Sequence, residues 1–130
     1  MDLLRGIVRE IKNDDTLSAK LFIETNKYRL YPSVAGDDAL PNETIIYSEV
    51  DQSFYPPNLR TSIIQFVCVA DTVSKSVALG EDIDRIFNNC HDYQVGGLFP
   101  IIYSALQSKT ALYDADADLH QTIVDIFYKY

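Results

Sequence analysis

The sequence predicts an α+β fold: an antiparallel or mixed β-sheet of about four to five strands with two α-helices packed on one face. Two observations support this prediction. Two segments repeat apolar residues at helical spacing, and the segments around them alternate apolar and polar residues as strands do. The 130 residues, 47% of them hydrophobic, suit one continuous core. We therefore expect residues 1–130 to form a single domain.

The predicted helices have apolar residues three and four positions apart. The first covers Leu3–Ile11 and is stopped by the polar run Asn13-Asp14-Asp15. The second follows the capping residues Asp71–Ser74 and ends near Asn88. Thr16–Phe22 predicts no more than a short helical turn between the first helix and the first strand.

The predicted strands are short, rich in β-branched and aromatic residues, and bounded by turn residues. Among them, Leu59–Asp71 is the longest, and its middle is apolar on both faces, which predicts a central strand with cover on each side. The five predicted strands are Lys27–Tyr31, Glu43–Ser53, Leu59–Asp71, Gly96–Ser108 and Gln121–Tyr130.

Charge and hydropathy exclude several functional classes. The net charge is −8, and the eleven Lys and Arg residues are scattered, which disfavours nucleic-acid binding because phosphates need clustered cations. Apolar runs such as 66–70 are far shorter than the roughly 20 residues of a membrane span. Residues 1–6 lack the pattern of a signal peptide, so we expect a cytoplasmic protein whose two cysteines, Cys68 and Cys90, stay reduced.

Three aspartates have the alternate spacing of a calcium-binding loop. Asp114, Asp116 and Asp118 occupy this pattern, and Asp125 falls where the closing carboxylate would stand. However, Leu119 occupies the place where that loop needs a glycine, and a strand follows instead of a helix. We therefore predict a solvated polar turn and no metal site.

A second candidate site is the run Cys90-His91-Asp92, which lists a nucleophile, a base and an acid in sequence. Neighbouring side chains rarely converge, because catalytic sets are assembled from separate elements. The sequence has neither a glycine-framed nucleophile nor zinc-ligand spacing, and Gly96-Gly97 is too short to bind a phosphate. We predict no catalytic residues, no cofactor and no enzymatic activity.

Taken in order, these segments resemble the tail-completion, or tail-to-head joining, proteins of long-tailed bacteriophages and prophages. The resemblance covers most of the chain and concerns the pattern of elements, with no single diagnostic motif. It comprises the opening helix, the strand Lys27–Tyr31 leading to Leu40-Pro41, the strand Arg60–Asp71 feeding the helix Val73–Phe87, and the turn 113–116 before the last strand.

The resemblance implies a structural virion protein that forms a ring, often hexameric, on the head-proximal end of the tail tube. Its partners would be further copies of itself, the tail tube protein and the head connector or head-closure protein. It would act in the virion neck after assembly in the host cytoplasm, and DNA would pass an acidic lumen without specific binding. No membrane contact is implied.

Sheet edges and long, proline-bounded loops are the expected contact surfaces, and the nine tyrosines of the chain support this expectation, since tyrosine is enriched at protein interfaces. The loops are the segment Pro32–Pro41, the turn Phe54–Asn58, whose counterpart in the family we do not identify, and the turn at Tyr113. Two alternatives remain: a small cytoplasmic enzyme or ligand-binding domain with a pocket between sheet and helices, and another neck or baseplate subunit. The candidate interface residues are Pro32, Asp37, Asp38, Phe54, Tyr55, Pro56 and Tyr113.

Overall fold

The α+β prediction is confirmed, with more strands and one more helix than expected. A computed structural model describes residues 2–33, 43–55 and 59–130, but not the side chains of residues 54, 55 and 59. The described residues form three helices, a mixed six-stranded sheet and a separate two-stranded sheet. The elements are α1 Leu3–Asn13, α2 Asp15–Leu21, β1 Phe22–Glu24, β2 Lys27–Tyr28, β3 Leu30–Pro32, β4 Thr44–Tyr55, β5 Leu59–Ala70, α3 Val73–Phe87, β6 Cys90–Val95, β7 Phe99–Asp114 and β8 Leu119–Lys129.

The large sheet has the strand order β3-β4-β5-β8-β7-β6. Among its described strands, β3 and β4 are parallel, and every other neighbouring pair is antiparallel. β5 is therefore an inner strand, as predicted. β1 and β2 form the small sheet.

Each helix begins at a polar cap. Asp2 caps α1 by accepting the N–H of Arg5 at 2.8 Å, and Thr72 caps α3 by accepting the N–H of Lys75 at 3.3 Å. The predicted helical turn at 16–22 is a full helix, α2, whose cap is Asp14. Arg85 of α3 ties this cap down, because its guanidinium donates to both carboxylate oxygens of Asp14, at 3.0 and 2.8 Å.

The helices cover one face of the sheet, and the core lies between them and that face. Along β8, Val124, Ile126 and Tyr128 are fully buried, and the residues between them are half-buried. Phe87 of α3 lies among these side chains, with its ring 5.8 Å from Phe66 and 5.7 Å from Tyr128, centre to centre. The predicted placement of both amphipathic helices on one face is correct.

Two glycines allow the helices to approach the sheet closely. A Cβ at Gly80 of α3 would lie 2.7 Å from Cγ2 of Thr122, and one at Gly6 of α1 would lie 2.7 Å from Cγ1 of Val95. Side chains larger than hydrogen do not fit at either position without a shift.

Four sequence predictions need correction. The prediction that β5 has cover on both sides is wrong for the described residues, since all three helices lie on one face. The segment around Cys90 is a strand, β6, although its sequence is typical of a turn, because it pairs with β7. Within this strand Asp92 has a left-handed backbone, with φ 46°. β7 begins and ends later than predicted, and Phe54 and Tyr55 extend β4.

Candidate assembly surface

The face of the sheet away from the helices is not covered by any described element. Its central residues are half-buried by their neighbours in the sheet and mostly apolar. Direct cross-strand pairs place Ile63 beside Phe127 and Val67 beside Ile123 on this open face. We call this set the open face; it consists of Ile46, Ile63, Val67, Ile123 and Phe127 with the polar residues Gln65 and Asp125 between them.

Asp125 places an acidic group at the centre of the open face. The Ser108 hydroxyl donates to its Oδ2 at 3.0 Å. Its Oδ1 is buried and has no hydrogen-bond partner among the described residues. Buried acceptors are normally satisfied, by water as well as by protein groups, and this oxygen is a polar acceptor within the largely apolar open face.

One margin of the sheet has the shape of a step. β7 is 16 residues long, but β6 pairs only with its first part, from Phe99 to Ser104. The remaining part, Ala105–Asp114, pairs with β8 on one side and with no described strand on the other. Near the start of this free edge, the N–H of Leu106 donates to the Asn88 side chain at 2.9 Å.

The opposite margin has a second step. β3 pairs with β4 only at residues 45–47. The rest of β4, Ser48–Tyr55, pairs with β5 on one side and with no described strand on the other. Among the described residues the sheet therefore has two free strand edges of eight to ten residues, and such edges are able to pair with another strand.

The turn between β7 and β8 is held by its own aspartates. Asp114 Oδ1 accepts the N–H groups of Asp116 and Ala117 at 3.1 and 3.3 Å. Asp118 Oδ1 accepts the Tyr113 hydroxyl at 2.6 Å. The described residues contain no group of three or more metal-ligating side chains, and these carboxylates serve as turn-stabilising acceptors.

The two cysteines lie in different environments. Cys68 is fully buried on β5, and burial raises the pKa of its thiol well above the ordinary value. Cys90 is half-buried at the start of β6, with Sγ 3.5 Å from the carbonyl oxygen of Ile86. Both are free thiols, and Cys90-His91-Asp92 lies along β6, where the three side chains do not converge on one site.

Several surface hollows lie among the described residues. Three have volumes of about 260 to 290 Å³, below the usual range of ligand sites. One of them is bordered by Gln52 and Arg60 on the helix side of the free β4 edge. Within the described residues, no helix is long and apolar enough to cross a membrane.

The residues predicted as contacts are spread over the molecule. Pro32 is exposed at the end of β3, and Tyr113 is 54% exposed at the end of β7. Phe54 and Tyr55 end β4 on its free edge. Asp37, Asp38 and Pro56 lie outside the described residues. The sequence predicted contacts through sheet edges but not through which strands, because only the pairing of distant strands shows where β4 and β7 extend beyond their neighbours.

Comparison with solved structures finds the same fold in a phage-like particle. The chain is similar to a chain in the virion of a native gene transfer agent particle, with a TM-score of 0.71 and 10% sequence identity. The match covers 98% of this chain and 92% of that chain. No protein-family model and no curated protein matches the sequence.

Proposed function

We propose that this protein is a structural component of a phage-like virion that caps the tail tube at its head-proximal end and joins the tail to the head connector as an oligomeric ring. The observation that carries the proposal is the likeness of the whole chain to a chain of a gene transfer agent virion. The more specific tail-completion role rests on a second observation, which is the order of helices and strands in the sequence.

The shape of the molecule supports assembly with other chains. The described residues leave strand edges free on opposite margins and a largely apolar sheet face uncovered, and these are surfaces that a solitary soluble protein normally protects. Sheet edges are also surfaces that protein chains use to bind one another through main-chain hydrogen bonds. The described hollows offer no comparably developed ligand site.

The charge of the chain suits a ring through which DNA moves. Each copy carries a net charge of −8, so a ring of several copies repels the phosphate backbone. In this proposal the partners are other copies of the chain, the tail tube protein and the head connector, and DNA passes without specific binding.

Gene deletion in the phage or prophage that encodes the chain tests the proposal. Electron microscopy should show intact heads together with tails that are unjoined or of uncontrolled length. A gene copy supplied in trans should restore joined particles. Joined particles with tails of normal length in the deletion strain would contradict the proposal, and defects confined to the distal end of the tail would point to a baseplate subunit instead.

A double substitution at the β4 end tests the predicted contact residues. Phe54→Ala with Tyr55→Ala should reduce the yield of joined particles without unfolding the protein. Circular dichroism and thermal melting of the purified variant provide the folding control. Unchanged particle yield would remove these two residues from the contact surface.

A further inference from the structure

We propose that the two stepped margins of the sheet interlock between neighbouring copies, so that β6 of one copy fills the free edge of β4 in the next, and β3 of that copy fills the free edge of β7 in the first. This proposal rests on the proposed ring. In this contact the participating residues, the strand directions and the register are all defined.

The steps lie at complementary heights. Residues joined by successive direct cross-strand pairs lie at the same level along the strands. Cys90 pairs with Ser104, Ser104 with Tyr128, Tyr128 with Ser62, and Ser62 with Gln52. The first residue of β6 is thus level with the free part of β4 on the opposite margin.

The same relation holds at the other end of the sheet. Leu30 of β3 is level with Ala111 of β7, through Ile45, Cys68 and Thr122. Each margin therefore projects by one strand where the other is recessed by one strand. Two copies placed side by side without displacement along the strands bring each projecting strand next to a free edge.

Strand directions are compatible with this contact. The pairings give β3 and β7 opposite directions, so the contact between them is antiparallel. β6 and β4 have the same direction, so their contact is parallel, as β3 and β4 already are within the chain. Both arrangements form regular hydrogen-bond ladders.

The contact joins unlike surfaces and repeats from copy to copy. Such head-to-tail contacts generate closed rings when successive copies are rotated without displacement, and filaments when they are displaced along the axis. Matching levels therefore favour closure. Because Pro32 has no N–H, β3 brings fewer donors, and we expect β6 and β4 to form more of the hydrogen bonds.

The side chains at the β6–β4 contact also fit. The exposed residues on the free part of β4 include Glu49 and Gln52, and the hollow of about 260 Å³ beside them lies on the helix side. Cys90 also lies on the helix side, near the end of α3. Gln52 and Cys90 therefore carry their side chains on the same face of the joined sheet.

Cysteine cross-linking tests the register with a single substitution. Gln52→Cys introduces a thiol level with the native Cys90 of the next copy, about 4.8 Å away across neighbouring strands. Within one chain the two positions are separated by four strand spacings, about 19 Å, which no disulfide spans. Any disulfide between the introduced thiol and Cys90 therefore joins two copies.

The measurement uses whole particles from cells that carry both the wild-type gene and the Q52C gene. Assembly does not depend on the variant, because wild-type copies are present in the same cells. These wild-type copies also supply Cys90 for the disulfide. After oxidation with copper phenanthroline, non-reducing gels should show disulfide-linked dimers of this chain at ten or more times the level seen with Glu49→Cys. Along the strands, Glu49 is two levels away from Cys90 of the next copy. The separation of about 8 Å between the Cα atoms of these two residues is too long for a disulfide.

Two controls distinguish failure of the proposed contact between β6 and β4 from failure of the proposed ring. Replacing Cys90 with serine in both gene copies should abolish the dimers that Q52C forms. Glutaraldehyde treatment of the same particles should link the chain into multimers whatever the register. Multimers without disulfide-linked Q52C dimers would overturn the interlocked margins and leave the proposed ring in place, whereas absence of the chain from the particles would overturn both.

Discussion

The two faces of the large sheet differ in what they contribute. On the helix side, Phe87 lies fully buried between Phe66 and Tyr128. On the open side, Phe127 is only half-buried and no described helix covers it. One face thus forms the core that stabilises the fold, while the other face and the margins remain available for other chains. The difference teaches that the surface that forms the core and the surface that we propose for assembly are separate parts of one sheet.

Replacing each phenylalanine with alanine gives the largest expected difference between the faces. Phe87→Ala should lower the free energy of unfolding by about 3 to 5 kcal/mol, because it leaves a cavity among rigid neighbours. Phe127→Ala should cost less than about half of this, since solvent already reaches that ring. Urea unfolding followed by circular dichroism measures both, and equal losses would show that the open face is part of the folding core.

Gly80 offers a test of how tightly the covered face is packed. Gly80→Ala should cost about 1 to 3 kcal/mol despite the better helix propensity of alanine, because its Cβ would lie 2.7 Å from Cγ2 of Thr122. Thr122→Ser removes this methyl group and keeps the hydroxyl that contacts Ser76 at 3.2 Å. In the Thr122→Ser background the loss should shrink. An unchanged loss would place the strain elsewhere.

The link between α2 and α3 should respond to pH. The hydrogen bond from Arg85 lowers the pKa of Asp14 below its ordinary value of 3.8. A lowered pKa in the folded state contributes stability above the unfolded value, and this contribution is lost as the pH falls through the folded pKa. Asp14→Asn keeps a good helix cap but removes the charge, so it should lower stability at pH 7 and lose that effect below about pH 3.8.

Asp71→Asn is the matched control for the Asp14 test. Asp71 also pairs with a cation, Lys75, at 3.3 Å, but the two side chains are 50% and 52% exposed. Its loss should change stability by less than about 0.5 kcal/mol at either pH. A pH effect of equal size in both variants would mean that general charge, and not the Asp14–Arg85 pair, governs the acid response.

Thiol labelling should distinguish the two cysteines without changing stability. Burial removes Cys68 from solvent and raises the pKa of its thiol, so it should react with an aromatic disulfide reagent only on unfolding. The half-buried Cys90 should react in the native protein, though more slowly than a free thiol because burial also raises the pKa of its thiol. The Cys68→Ser and Cys90→Ser variants assign each phase, and fast labelling of Cys68 would contradict the inner position of β5.

The sequence predicted the local elements well because their signals are local. Polar caps and apolar periodicity locate α1 and α3 to within a residue or two, and the alternation in 121–130 locates β8. It missed β6, because His91 and Asp92 carry little strand propensity, and the segment is a strand only through the pairing of its neighbouring residues with β7.

The candidate surface was less predictable than the fold. That β7 outlasts β6, and β4 outlasts β3, depends on pairings between residues far apart in sequence, which periodicity does not encode. The exposed tyrosine at 113 was predicted from its turn context, and its place at the end of the free β7 edge became visible only in the sheet.

Hydrogen exchange at the free edges tests the central claim most directly, namely that the margins of the sheet are its assembly surface. Amides of Ala105–Asp114 and Ser48–Tyr55 that point away from the sheet, except that of Leu106, which already donates to Asn88, should exchange fast in the isolated protein, and at least tenfold more slowly in purified particles. Amides of β5, which already have partners on both sides, should change little. Equally fast exchange of the edge amides in particles that contain the chain would contradict this claim.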